Sequence, residues 1–165
     1  IRDRKYNYKV INPKPLYKNK KIISSTHIRK LIQKGKLKVA NQLLSRNWSI
    51  EGTVEKGRMM GRKIGFPTCN IDIKNYVIPK VGVYAVDTYV ENKSKKIKGI
   101  ANIGYRPTFN QKKLLLEVNL FKFSGNLYNK KLTINFTKSI RGETKFKNIG
   151  ALKKQIKKDI IIAKR

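Results

Sequence analysis

The sequence predicts a mainly β fold, a closed antiparallel barrel or sandwich with helices before and after it. Between residues 48 and 140, six short segments alternate apolar and polar side chains with the period of two that is typical of strands. Turn-rich pieces separate these segments, with no helical stretches between them, which favours an all-β domain. From Ile149 to Ala163 the apolar side chains instead recur at helical spacing, which predicts an amphipathic C-terminal helix.

The composition is that of a globular chain with a very large positive charge. The 165 residues are 39% hydrophobic, enough for a buried core, and no segment approaches the roughly 18 apolar residues of a membrane span. The net charge of +31 comes from 40 Lys and Arg residues, of which only nine are Arg. Because the lysines are spread along the whole chain, we interpret them as a solvated surface that can also attract an anionic small molecule. A dedicated nucleic-acid face would favour Arg, so we do not expect a nucleic-acid partner.

The sequence has one cysteine, Cys69, and one histidine, His27. These counts exclude an internal disulfide and a metal cluster built from cysteine or histidine. The N-terminal residues do not resemble a signal peptide. We therefore expect a cytoplasmic protein without a membrane partner.

Two short helices are expected before the strands. The first 22 residues, with Pro13 and Pro15, predict a strand end and a loop. A helix follows, because apolar residues recur at helical spacing between Ile28 and Ile32 and Gly35 comes after them. Its N-cap is expected to be Ser24, Ser25 or Thr26. A second helix has one apolar side formed by Val39, Ala40, Leu43 and Leu44.

The β region is predicted to begin at the only tryptophan. The expected strands are Trp48–Val54, Cys69–Ile73, Gly82–Val90, Lys96–Ile103, Leu114–Phe121 and Lys131–Ile140. A glycine-containing loop, Gly57–Gly61, follows the first strand, and a turn is expected at residues 106–110.

The stretch from Gly65 to Asn70 predicts a nucleotide-phosphate site. Pro67 restricts the backbone, and the Thr68 hydroxyl and the Asn70 amide lie on one face of an extended segment. Oxygen ligands of this kind suit Mg²⁺, which binds together with substrate phosphates. The preceding basic loop, residues 57–63, can surround phosphates with backbone N–H groups, although it is not a P-loop. The alternative is that Thr68 and Asn70 only start a strand.

Glu117 is the most informative of the nine carboxylates. Alternation puts Leu116 and Val118 on one face of its strand, and Glu117 with Asn119 on the other. A carboxylate among apolar neighbours is either paired with one of the many lysines or acts as a general base toward a hydroxyl nucleophile.

The segment from Arg141 to Phe146 lies between the last strand and the terminal helix. Its charged pair and aromatic ring can hold a planar heteroaromatic ligand or can cap the helix. Spacing alone leaves both interpretations open.

Several motifs occur in a fixed order along residues 47–163. They are Gly52-Thr53-Val54, Gly57, Gly61-Arg62-Lys63-Ile64-Gly65-Phe66-Pro67-Thr68-Cys69-Asn70, Gly82-Val83-Tyr84-Ala85, Ala101-Asn102-Ile103-Gly104-Tyr105-Arg106-Pro107-Thr108-Phe109, Leu116-Glu117-Val118, Leu127-Tyr128, Arg141-Gly142-Glu143-Thr144-Lys145-Phe146 and Leu152 with Gln155-Ile156 and Asp159. This set resembles the riboflavin kinases, whose pattern is G-x-V, G and G-R-x-L-G-F-P-T-A-N followed by the later motifs. The segment Ile23–Arg29 resembles the end of the FMN adenylyltransferase domain of bacterial bifunctional FAD synthetases.

The resemblance implies a six-stranded antiparallel Greek-key barrel that transfers the γ-phosphate of ATP to the 5′-hydroxyl of riboflavin, giving FMN. It implies Mg²⁺ at Thr68 and Asn70, and ATP at Gly57, Arg62, Pro67, Thr68 and Asn70. Glu117 would be the catalytic base. The flavin site would contain Tyr128, Arg141, Thr144 and Phe146.

The chain departs from the family pattern at three positions. Cys69 replaces the usual Ala, and Asn119 and Lys122 replace the usual His and Asp after the catalytic Glu. We expect residues 1–46 to be a C-terminal remnant of the adenylyltransferase domain plus a helical linker, and residues 47–165 to be the kinase domain. Ser24, Ser25, Thr26 and Arg29 would be that remnant's former ATP-phosphate residues. FMN adenylyltransferase activity is not expected from this chain alone, because the strand–loop motifs of a nucleotide-binding half are absent from it.

An alternative function is a non-catalytic basic β-barrel that binds RNA or single-stranded DNA. It would require exposed aromatic residues among lysines on a strand face.

Overall fold

The protein is built around a closed barrel of six antiparallel strands, which confirms the predicted barrel and excludes the sandwich. The computed structural model describes residues 2–3, 8–9, 11–18, 20–107 and 112–165, and the side chains of 11–18, 20, 22–105 and 114–165. In chain order its elements are β1 (Arg2–Asp3), β2 (Tyr8–Lys9), β3 (Tyr17–Lys18), β4 (Lys21–Ile22), α1 (Ser25–Gln33), α2 (Leu37–Leu44), β5 (Ser49–Glu55), α3 (Met60–Lys63), β6 (Cys69–Ile71), β7 (Gly82–Val90), β8 (Ile97–Pro107), β9 (Lys112–Leu120), β10 (Lys131–Gly142) and α4 (Ile149–Lys164).

The barrel strands follow the order β10–β5–β6–β9–β8–β7, and β7 pairs back to β10. Strands β7, β8 and β9 are consecutive neighbours, and β10 returns to lie beside β7, which is the Greek-key arrangement. The short pairs β1–β2 and β3–β4 lie outside the barrel.

Alternation along the strands fills the barrel with apolar side chains. On β9, Leu116 and Val118 are 0% and 1% exposed and belong to the core, so Glu117 and Asn119 lie on the outer face, as predicted. The ring of Phe136 lies 4.9 Å from Trp48 and 5.5 Å from Tyr84, so aromatic packing closes the core near β10.

The helices are attached to the outside of this barrel. Ser24 caps α1 by accepting a hydrogen bond from His27 N at 3.2 Å, which identifies the N-cap among the three hydroxyl candidates. Helix α2 packs on β10, where Asn41 Nδ2 donates to Phe136 O at 2.9 Å. Helix α4 packs across β7, β8 and β10. Helices α1 and α2 pack in the same cluster as the barrel core through Ile28, Leu31, Ile32, Leu37, Ala40, Leu43 and Leu44. Val39, predicted on the apolar side of α2, is instead 42% exposed, and Leu37 takes the buried position.

Several predicted elements differ from the structure. Strand β6 ends at Ile71 because Asp72 Oδ1 accepts from Lys74 N at 3.0 Å and turns the chain two residues early. Strand β8 continues past Ile103 to Pro107. The predicted glycine loop contains a helical turn, α3, which begins after Met59 in a left-handed conformation. Of the turn predicted at residues 106–110, positions 108–110 lie outside the described residues.

Candidate active site

A cavity of about 400 Å³ opens between the outer barrel face and α4, and we call it the helix cavity. Its floor is formed by outward-facing residues of β8 and β9, and its walls by α3 with the following turn and by the β10–α4 segment. The polar and aromatic lining residues are Thr68, Phe66, Asn102, Glu117, Asn119, Arg141, Glu143, Thr144, Phe146 and Asp159. The volume lies within the range of small-molecule sites. Apolar and polar groups together suit a ligand with a flat apolar part and a polar part.

A second cavity of about 490 Å³ lies on the other side of the same turn, and we call it the loop cavity. Its lining includes Arg62, Pro67, Thr68, Cys69, Phe123, Leu127 and Tyr128. Burial raises the pKa of the Cys69 thiol to about 11, and its Sγ lies 3.4 Å from Val118 O. Cys69 is therefore a buried, neutral side chain at physiological pH and not a nucleophile.

The two cavities meet at one residue, Thr68, which lines both. Helix α3 packs closely against it, because a Cβ on Gly61 would lie only 3.0 Å from Thr68 Oγ1. The preceding carbonyl, Pro67 O, accepts a hydrogen bond of 2.6 Å from Asn119 Nδ2 on β9. The two cavities are therefore neighbours at this turn.

A row of polar residues crosses the outer face of three neighbouring strands. In the register of the barrel, Glu117 is directly opposite Asn70 on β6 and directly opposite Asn102 on β8. Directly opposite residues have Cβ atoms roughly 4.5–5.5 Å apart. The predicted base and the predicted metal ligand Asn70 therefore lie next to each other, although 47 positions separate them in the sequence.

Asn70 is held in a way that fits the predicted Mg²⁺ site. It is 8% exposed, and its Oδ1 is one of two buried side-chain atoms without a hydrogen-bond partner in the described part of the chain. Because a buried acceptor normally has a hydrogen-bond partner, an unpaired one fits a position where a cation can bind. Its Nδ2 lies against the backbone of Gly57, where a Cβ would approach to 1.7 Å. A side chain at position 57 would displace the Asn70 amide, so this contact favours glycine. Neither Gly57 nor Asn70 lines the helix cavity or the loop cavity.

Arg141 is fixed by α4. Its Nε donates to both carboxylate oxygens of Asp159, at 2.9 and 3.1 Å, and Asp159 is 1% exposed. Gln155 Nε2 also donates to Asp159, at 2.8 Å. The guanidinium group lies 5.5 Å from the centre of the Phe146 ring and 3.4 Å from Thr144 Oγ1. The capping interpretation of the segment from Arg141 to Phe146 is wrong, because Asn148 caps α4 by accepting a hydrogen bond from Ala151 N at 2.8 Å. The ion pair of Arg141 with Asp159 instead joins β10 to a later turn of α4 and borders the helix cavity, so ligand binding stays a prediction.

The structure brings together most, but not all, of the residues predicted from the sequence. Glu117, Arg141, Thr144 and Phe146 line the helix cavity, and Arg62, Pro67 and Thr68 line the loop cavity. Tyr128, predicted with the flavin residues, instead lines the loop cavity. Lys122 is exposed and lines neither cavity. Ser24, Ser25, Thr26 and Arg29 are exposed around the start of α1, and they also line neither cavity.

Sequence reasoning assigned no role to three residues of the site. Asn102 was visible only as part of a motif. Asn119 was visible as a neighbour of Glu117 on its face of β9 and as a departure from the usual His of the family pattern. Asp159 had the clearest signal, because it is the only acidic residue of the lysine-rich helix α4. As the only carboxylate of α4, Asp159 is the residue of this helix that can pair with Arg141 where the helix packs on β10.

Two adjoining cavities, with a carboxylate in one and an unpaired amide oxygen on the neighbouring strand, form a site with room for two small molecules. Residues 44–165 match the flavokinase family, described as riboflavin kinase. The chain therefore belongs to the riboflavin kinase family.

Individual relatives agree with this family. A bifunctional riboflavin kinase/FMN adenylyltransferase of Buchnera aphidicola subsp. Schizaphis graminum is 45% identical over 97% of this chain and 52% of its own length. A crystal structure of a Streptococcus pneumoniae protein named as a macrolide-efflux protein has a TM-score of 0.83 at 33% identity, over 92% of this chain and 49% of that one. Riboflavin kinase of Trypanosoma brucei has a TM-score of 0.50 at 22% identity, over 70% of this chain and 76% of that one, and shows the fold alone.

The chain spans about half the length of the curated relatives it matches. Within its described residues, no helix has the length and apolar character needed to cross a membrane.

Proposed function

We propose that this chain catalyses the phosphorylation of riboflavin by ATP, giving FMN and ADP. One observation carries the proposal: Glu117 faces the helix cavity, and the turn at Thr68 that borders this cavity also lines the loop cavity. A base must lie beside the hydroxyl that it deprotonates, so riboflavin occupies the helix cavity. The phosphate donor then occupies the loop cavity, with its γ-phosphate at Thr68.

In this arrangement the chain mainly positions the two reactants. Glu117 accepts the proton of the ribityl 5′-hydroxyl, whose oxygen attacks the γ-phosphorus while the bond to the ADP oxygen breaks. Arg141 and Phe146 border the space for the flavin ring. Arg62 lines the loop cavity, where its positive charge attracts the negatively charged phosphates.

Tyr128 takes a different role from the one implied by the family resemblance. Together with Phe123 and Leu127, it gives the loop cavity an aromatic and apolar part. We propose that this part holds the adenine base, since a planar base stacks favourably on aromatic rings.

Mg²⁺ fits the chemistry of the residues present. Thr68 and Asn70 would hold it through oxygen atoms, and the free, buried Oδ1 of Asn70 supports this assignment. When bound, the ion would neutralise charge on the ATP phosphates.

The test compares two carboxylates of the same cavity, Glu117 and Glu143. FMN formation from riboflavin, ATP and Mg²⁺ is followed by chromatography, and riboflavin binding by fluorescence quenching. E117Q is expected to lower kcat about 10²- to 10⁴-fold, the usual contribution of a general base, while still binding riboflavin. The matched control E143Q is expected to change kcat much less.

Absence of FMN with folded wild-type protein would contradict the proposed activity. Full activity in E117Q would contradict only the assignment of the base.

We further propose that the chain acts as the kinase part of a bifunctional enzyme, because its relatives carry both activities in their names. FMN adenylyltransferase activity is not expected from this chain alone. Residues 1–46 as an adenylyltransferase remnant and a cytoplasmic location remain predictions.

A further inference from the structure

We propose that Asn119, a residue of the helix cavity, positions the nucleotide that binds in the loop cavity. The inference rests on the proposed function, which assigns riboflavin to the helix cavity and Mg·ATP to the loop cavity. It gives a role across the two cavities to a side chain that borders only one of them.

The observation behind it is a single, partly buried hydrogen bond. Asn119 is 9% exposed, and its Nδ2 donates to Pro67 O at 2.6 Å. The bond joins β9, the strand of Glu117, to the Pro67–Thr68 turn. A short bond in a buried setting restricts the orientation of both partners.

The geometry of the peptide unit converts this bond into an effect on Thr68. No peptide bond among the described residues is cis, so the C=O of Pro67 and the N–H of Thr68 point in opposite directions. With the carbonyl held toward Asn119, the Thr68 N–H points away from that side chain, and Pro67 and Thr68 both line the loop cavity. Proline has no N–H of its own, so Thr68 supplies the amide that this peptide unit presents to a phosphate.

The same bond holds the Thr68 side chain. Thr68 is the residue that borders both cavities, and its Oγ1 lies close to Gly61 of α3. Without the Asn119 donor, the Pro67 carbonyl can rotate, and the Thr68 amide and hydroxyl move with it. Nucleotide binding therefore weakens more than flavin binding.

The experiment measures binding at each cavity separately in three variants. N119L removes the donor at similar size, N119D keeps the shape but replaces the donor with an oxygen, and N119H offers a ring N–H. The probes are Mg·ADP by calorimetry and riboflavin by fluorescence quenching. We expect N119L and N119D to raise the Kd of Mg·ADP and the KM of ATP roughly three- to tenfold, the loss expected for one hydrogen bond. N119H is expected to retain most of the wild-type affinity.

Ile100→Ala is the matched control. Ile100 is directly opposite Asn119 on β8 and lines the same helix cavity. This variant is expected to weaken riboflavin binding and to leave the Kd of Mg·ADP unchanged.

Two results would overturn the inference. The first is loss of riboflavin affinity in N119L with an unchanged Kd for Mg·ADP, which would make Asn119 a lining residue only. The second is equal loss in N119H and N119L, which would assign the effect to side-chain shape. Wild-type protein assayed for FMN in the same series tests the proposed function separately, since its activity does not depend on how the variants behave.

Discussion

At the scale of single residues, the hydroxyl group of Thr88 is buried in the barrel without a hydrogen-bond partner in the described part of the chain. Thr88 lies on β7 and is 0% exposed. An unsatisfied buried hydroxyl costs free energy, whereas Asn70, whose Oδ1 is also unpaired, is directly opposite Glu117 of the helix cavity. The unpaired oxygens of Thr88 and Asn70 therefore have different interpretations, because Asn70 lies beside the candidate site and Thr88 lies in the barrel wall away from it.

Thr88→Val is predicted to stabilise the protein. The substitution keeps the branched shape and replaces the unpaired hydroxyl with a methyl group, which is expected to raise the free energy of unfolding by about 1 kcal/mol. Urea unfolding followed by tryptophan fluorescence measures the change. Thr137→Val is the matched control, because Thr137 Oγ1 donates to Ala85 O at 3.0 Å and its loss should destabilise. A stability loss in Thr88→Val would show that its hydroxyl has a partner in solution.

At the scale of elements, helix α4 is both a wall of the helix cavity and the support of Arg141. The side chains of Arg141 and Asp159 are 21% and 1% exposed, so their ion pair is largely removed from solvent. Breaking such a pair leaves a buried charge without a partner, which costs more than the pair contributes. The position of α4 and the position of the guanidinium group are therefore coupled.

Asp159→Asn is predicted to lower the free energy of unfolding by roughly 3 kcal/mol and to weaken riboflavin binding. The double variant R141M/D159L should recover much of the stability, because apolar residues can replace a buried ion pair, but not the riboflavin affinity. Urea unfolding and fluorescence quenching measure the two quantities. Recovery of both in the double variant would show that Arg141 supports the helix without contributing to the flavin site.

At the scale of the whole molecule, the sequence predicted the class of the fold better than the composition of its cavities. Two-residue alternation is a local consequence of burial, so it placed Glu117 on the outer face of β9 correctly. The Asn119–Pro67 bond joins residues 52 positions apart, and it exists only because β6 and β9 become neighbours when the barrel closes. Tyr128 falls in the loop cavity for the same reason. Periodicity carries no information about which strands become neighbours, so these relations required the structure.

The net charge of +31 is also a property of the whole molecule, and it predicts a salt effect that differs between the two substrates. ATP is an anion and riboflavin is neutral, so the field of the protein raises the local concentration of ATP alone. Between about 50 and 500 mM NaCl, where the screening length falls from roughly 14 to 4 Å, the KM of ATP is expected to rise several-fold. The KM of riboflavin should change less than about twofold, since screening does not act on a neutral ligand. Steady-state kinetics with each substrate varied in turn measures both KM values, and sucrose of equal osmolality is the control.

An equal rise in both KM values would assign the salt effect to a change in the fold. A constant KM of ATP, with tight and salt-sensitive binding of an RNA oligomer, would instead support the basic barrel as a nucleic-acid-binding surface.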